Sequence, residues 1–233
     1  MGALAGCEDE EPEALDQAAA VSSDEPVVVL TAGLGDGLDE MADLQKTLAE
    51  RNRVCSYDRL GEGASDRPVV LAGHSLGGLI AARYAPGHRD RVAGLVLVDA
   101  TSPTTLADTT GLIPESAAGP GAELRAQVLA VCGGANPEEL VIADDEVRSV
   151  GDIPVEVVQH GTPYLQAVPE YGPGLERAWA QGQRAWLGVS TRSGLTTATR
   201  SAHHVHVDEQ AVVVGAVQRV VEQAAKVIGR PGR

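Results

Sequence analysis

The chain has 233 residues, 43% of them hydrophobic and 22% charged, which suits one sizeable core in an ordinary globular fold. Its net charge is −15, but eight of its 33 acids fall in residues 1–25, which hold no Lys or Arg, so residues 26–233 carry only −7. No basic patch offers the electrostatic footprint of a nucleic-acid binder, and no apolar run approaches the roughly 18–20 residues of a membrane span.

Residues 1–25 read as a flexible acidic segment, because residues 8–25 are charged and lack hydrophobic periodicity. Within it, Leu4-Ala5-Gly6-Cys7 resembles the site at which bacterial lipoprotein precursors are cut and lipidated. A lipidated Cys7 implies membrane anchoring outside the cytoplasm, or secretion, with the acidic stretch as a tether. The alternative is a chance match in an acidic tail of a cytoplasmic protein, since the charged start and long apolar segment of a signal do not precede Leu4. The three cysteines, Cys7, Cys55 and Cys132, allow at most one bridge, and Cys55 reads as a small apolar filler in a strand.

Order is expected from Pro26, in one domain spanning residues 26–233. Residues 27–31 are an apolar run closed by the glycine turn Ala32-Gly33-Leu34-Gly35, hence a buried strand. Leu38, Met41, Leu44 and Leu48 recur at three- and four-residue steps, which predicts an amphipathic helix over 38–51. Strands follow at 53–57, 69–72 and 92–98, with a helix over 79–84 between the last two. Residues 102–152 are rich in Pro, Gly, Ala and acids, with one helix predicted near 123–131. A strand at 155–159, a helix at 174–189, a strand at 195–199 and a helix at 208–227 complete the order. Apolar strands alternating with helices predict an α/β fold with a mostly parallel sheet covered on both faces. Residues 102–192 are left to supply the cap or pocket rim. The two tryptophans there, Trp179 and Trp186, read first as core.

Gly73-His74-Ser75-Leu76-Gly77 fits G-x-S-x-G, between the strand Val69-Val70-Leu71-Ala72 and a helix beginning near Leu79. A sharp strand-to-helix turn needs small residues around the serine and lifts its hydroxyl clear of the sheet. The helix N-terminus below it offers free N–H groups to an oxyanion.

These residues, with Thr31-Ala32-Gly33-Leu34-Gly35-Asp36, Tyr57-Asp58-Arg59-Leu60-Gly61-Glu62-Gly63-Ala64-Ser65-Asp66, Leu97-Val98-Asp99-Ala100 and Ser201-Ala202-His203-His204-Val205-His206-Val207-Asp208, resemble the α/β-hydrolase superfamily. The closest likeness is to its bacterial lipase- and esterase-like serine hydrolases. The resemblance implies the α/β-hydrolase fold and cofactor-free hydrolysis of a small-molecule carboxylic ester. It implies Ser75 as nucleophile, His203 as general base, and the N–H groups of Leu34 and Leu76 as oxyanion hole. His203 is preferred to His204 and His206 because it occupies the Gly-His position of the family string. His74 reads as a packing residue, and a metal site at the three histidines lacks a surrounding ligand pattern.

Many such enzymes carry the acid in a turn just after the strand that precedes the histidine, yet Val157-Val158-Gln159-His160-Gly161-Thr162 holds no carboxylate. Asp99 is the preferred acid, with a solvated turn residue or a helix cap as its alternative reading. The other functions left open are a thioesterase, lactonase or acyltransferase on the same residues, and a non-catalytic surface-binding protein. The oligomeric state is not legible.

One part of the resemblance fails. Only eleven residues separate Tyr57 from Val69, where the family has a crossover helix. Eleven extended residues reach about 35 Å, so a shortened loop crossover is expected, leaving part of one sheet face without its usual cover.

Overall fold

A run of valines starts the sheet. Val27–Thr31 forms β1, joined by β2 (Val54–Ser56), β3 (Val69–His74), β4 (Val92–Val98), β5 (Val155–His160) and β6 (Ser193–Ala198). The structure is a computed structural model that describes residues 26–31, 38–56, 68–137 and 139–228. The six strands pair in parallel, in the order β2-β1-β3-β4-β5-β6. Aliphatic residues without alternation suit a strand covered on both faces, and β4 is buried at every position. The covered parallel sheet expected from the sequence is what forms.

Two helices cover one face. Met41, Leu44 and Leu48 of α1 (Leu38–Ala49) and Val213, Ala216, Val217, Val220 and Ala224 of α7 (Gln210–Ile228) pack over Val28, Leu30, Val70, Ala72 and Val96. Contact is close enough that a Cβ on Gly94 of β4 would lie 2.3 Å from Val220 Cγ1. On the other face, α2 (Ser75–Tyr84) sets Leu76, Leu79 and Ala82 against Leu95 and Leu97, and Trp186 joins them. Each fully buried Leu or Val stabilises by roughly 1.5–3 kcal/mol, so a core without Phe is built from many modest pieces.

Residues 102–152 hold two helices rather than one, α3 (Thr105–Leu112) and α4 (Gly119–Cys132). α3 was not predicted, because three Thr and a Gly in eight residues are poor helix formers. Its start is secured from far away: the Asp144 carboxylate accepts from the N–H groups of Leu106 at 2.9 Å and Ala107 at 2.7 Å. The predicted helix over 174–189 is α5 (Gly172–Ala185) with a 3-10 turn at Trp186–Val189. The last helix is preceded by a short one, α6 (Val205–Asp208). No helix among the described residues is long and apolar enough to cross a membrane.

Val29, Cys55 and Leu71 stand side by side on β1, β2 and β3 and are half-buried, whereas Val28, Leu30, Val70 and Ala72 beside them are buried. Cys55 is disulfide-bonded rather than a free apolar filler, and Cys132 is free and buried. β2 and β3 flank β1, so their connection passes one strand. Residues 57–67, which carry the expected loop crossover, lie outside the described residues, as do Leu34 and Cys7.

Candidate active site

β3 runs into α2 with no loop between them, His74 ending the strand and Ser75 opening the helix. This reversal holds Ser75 at φ 50°, a left-handed conformation costing an L-residue roughly 1–2 kcal/mol. Two glycines make room for it. A Cβ on Gly73 would lie 2.5 Å from the Gly77 carbonyl, and one on Gly78 2.6 Å from Ala100 Cβ. Leu76 is the second helical residue, so its N–H has no carbonyl partner within the helix and stands at the positive end of the dipole. The Ser75 carbonyl accepts from the N–H of Thr101 at 3.0 Å, which ties the elbow to the segment after β4.

His74 of β3 and Val98 of β4 are paired in register, so Ser75 and Asp99 leave the sheet as neighbours. Asp99 is fully buried and also left-handed, at φ 42°. Its Oδ2 accepts from His203 Nδ1 at 2.8 Å, and its Oδ1 from Trp179 Nε1 at 3.0 Å. His160 adds its backbone N–H to Oδ1 at 3.2 Å and its Nδ1 to both oxygens, at 2.9 and 3.0 Å. Burial pushes this carboxyl up, but the hydrogen bonds from His160 and His203 outweigh it and hold its pKa down at about 2. The solvated-turn reading of Asp99 is overturned.

His203 lies between β6 and α6. Its ring meets Asp99, and its backbone carbonyl accepts from His74 Nε2 at 3.0 Å. It is thereby fastened on one side to the candidate acid and on the other to the residue before Ser75. Its ring stacks on Tyr164 (centroids 5.1 Å apart) and meets the edge of Trp179 at 5.5 Å. Of the three clustered histidines, His203 is the one bonded to Asp99; His204 is exposed and His206 is buried behind His74. His74 is itself buried, the packing role its position suggested. No group of three or more His, Cys, Asp or Glu among the described residues converges as metal ligands.

The sequence reading missed one helix stripe. Glu176, Trp179, Gln183 and Trp186 follow at steps of three and four from α5 into the next turn, and all four face the ends of β4 and β5. Glu176 meets His160 Nε2 at 3.0 Å, Trp179 donates to Asp99, Gln183 Nε2 to the Ala100 carbonyl at 2.7 Å, and Trp186 Nε1 to that of Thr101 at 3.2 Å. The core reading holds for Trp186, which is 2% exposed, and fails for Trp179. The spacing was there to be read, but polar and aromatic residues on a helix have no periodic signal of their own. Beside the stripe, Gln159, His160, Pro163, Glu176, Trp179 and Ala180 line a cavity of about 170 Å³.

Residues 6–232 match the alpha/beta hydrolase family. Among solved structures, the chain is similar to a serine hydrolase involved in carbazole degradation, at 14% identity over 84% of this chain and 91% of that one, with a TM-score of 0.54. It is similar to the enol-lactonase from Burkholderia xenovorans LB400, at 18% identity over 85% and 92% of the two chains, TM-score 0.51. A thermophilic esterase from Thermogutta terrifontis matches at 17% identity over 86% and 90%, TM-score 0.52. At these identities the likeness to the solved structures is one of fold.

Proposed function

Since the chain belongs to the alpha/beta hydrolase family, we propose that it is a serine hydrolase that cleaves small-molecule carboxylic esters through an acyl-enzyme on Ser75. The observation that carries this reading is the 2.8 Å bond from His203 Nδ1 to the buried Asp99, which emerges from the sheet next to Ser75.

An ionised carboxylate only accepts, so the Nδ1 of His203 carries a proton, and the neutral ring then offers Nε2 as the base. Ser75 Oγ attacks the ester carbonyl carbon as its proton passes to His203 Nε2. The resulting oxyanion is met by the N–H of Leu76 and, from the glycine turn after β1, that of Leu34. Collapse breaks the bond to the alcohol, which leaves with the proton from His203. A water then gives a proton to His203 and attacks the acyl carbon; as the bond to Ser75 Oγ breaks, His203 returns that proton to Oγ and the acid is released. Asp99 stabilises the imidazolium formed in each half.

The disulfide at Cys55 supports an oxidising compartment outside the cytoplasm. Lipidation would consume the sulfur of Cys7.

The test is labelling with a fluorophosphonate, mapped by peptide mass, beside turnover of p-nitrophenyl esters of increasing chain length and one matching thioester. Label on Ser75 and ester turnover, both lost in Ser75→Ala, are expected. Turnover of the thioester alone would replace the ester assignment, and neither label nor turnover would favour a binding protein.

A further inference from the structure

The strand end that lacks a carboxylate carries a histidine instead. We propose that His160, held as an imidazolium between Asp99 and Glu176, is a positioning residue that keeps Asp99 ionised and aimed at His203. This rests on the reading of Ser75, His203 and Asp99 as a catalytic set.

Both ring nitrogens of His160 face carboxylates. Nδ1 lies 2.9 and 3.0 Å from the two oxygens of Asp99, and Nε2 lies 3.0 Å from Glu176 Oε2. Ionised carboxylates only accept, so the ring serves both partners only when both nitrogens are protonated. A neutral ring would set a lone pair against one of the two carboxylates. The second carboxylate is itself fixed, because Glu176 Oε1 accepts the N–H of Leu165. The titratable groups facing the ring are Asp99 from the segment after β4, Glu176 from α5 and Tyr164 from the segment after β5. His203, from the segment after β6, shares Asp99 with it. Among the described residues, no Lys or Arg pairs with Asp99 or Glu176, and His160 is the residue that reaches both.

Burial pushes the His160 imidazole toward the neutral form, but its bonds to Asp99 and Glu176 and their charges overcome this and raise its pKa. Burial, with the same two charges, raises the Tyr164 phenol and keeps it neutral. The ring therefore does two things for Asp99. It neutralises part of the field that would otherwise favour protonation in a fully buried site, and with its own backbone N–H it grips the carboxylate, which leaves the Oδ2 lone pair for His203.

Nitrogen-15 NMR of the histidine rings reads the first half of the proposal without any turnover. At pH 6.5, the ordinary midpoint of a histidine, both ring nitrogens of His160 should be protonated in most molecules of wild type and of Ser75→Ala, and Glu176→Gln should move the titration of that ring to lower pH. Turnover of p-nitrophenyl acetate reads the second half. His160→Gln should lower kcat about 30-fold with KM within about twofold. In Glu176→Gln, the loss of kcat with rising pH should set in at a lower pH than in wild type. A His160 ring mostly neutral in wild type at pH 6.5, or a His160→Gln kcat within about twofold of wild type, would overturn the proposal. Should His160→Gln fail to fold, the ring titration and the Glu176→Gln profile decide it. A doubly protonated His160 in a protein that turns over no ester would overturn the catalytic reading of Ser75 and leave the clamp on Asp99 standing.

Discussion

Trp179 Nε1 lies 3.0 Å from Oδ1 of Asp99, reaching it from a helix 80 residues further along the chain. With His160 and His203 it completes a shell of donors from three segments around one buried carboxylate. Such a shell has room for an acceptor only.

Asp99→Asn should therefore lose stability as well as activity. Its amide N–H₂ would confront at least one of the donors that now point at an oxygen. The expected outcome is a rate lower by about 10³–10⁴-fold and an unfolding free energy lower by about 2–4 kcal/mol, from ester turnover and urea titration. Trp179→Phe removes a single donor and should cost about 1 kcal/mol, with turnover reduced by about tenfold or less. An Asn variant as stable as wild type would show that the donor shell is not closed.

Ser75 offers a comparison of two inactive variants. Ala keeps the left-handed strain at φ 50°, whereas Gly relieves it at some entropic cost. Ser75→Gly should be the more stable of the pair by about 0.5–1 kcal/mol in urea. Equal midpoints would mean the turn is not strained.

Stability should depend on pH through two groups of opposite sign. Asp99 sits at about 2, below its ordinary 3.8, so its contribution is present above pH 3.8 and is lost as pH falls toward 2. His160 is raised above its ordinary 6.5, so its contribution is complete below pH 6.5 and is lost as pH rises through its folded pKa. These two groups together give a maximum between about pH 4 and 6.5. Urea titrations across pH on wild type and His160→Gln check it, and the variant should lack the decline on the alkaline side.

The cysteines can be told apart chemically. In protein denatured without reductant, an alkylating reagent should modify Cys132 and leave Cys55 unmodified until reductant is added. Peptide mapping reads both. Reduction should lower stability by about 2–4 kcal/mol.

Much of this arrangement is legible in the chain itself. Runs such as Val92–Val98 declare buried strands, and Gly73-His74-Ser75 with its neighbours declares the elbow, because both signals are local. Asp99 is found by its place at the end of β4, and His203 by its place in the string that resembles the family's. His160 is not, since its meaning depends on a partner 61 residues away and its own neighbourhood holds only the absence of an acid. α3 is hidden for the same reason, its helix start being completed by Asp144 from 38 and 37 residues further on. Glu176 and Trp179 matter for where α5 docks, and docking is set by the whole core.

The position of Trp179 also gives the protein a built-in optical gauge. The chain has two tryptophans, and Trp186 is sealed in the core at 2% exposure, a constant background emitter. The Trp179 indole lines the 170 Å³ cavity and bonds the carboxylate that holds His203. Whatever enters that cavity, or changes the charge on Asp99, alters the surroundings of one fluorophore and not the other. Steady-state emission of the unmodified protein, titrated with non-hydrolysed ester analogues on Ser75→Ala, thus becomes a binding assay that needs no label and no turnover.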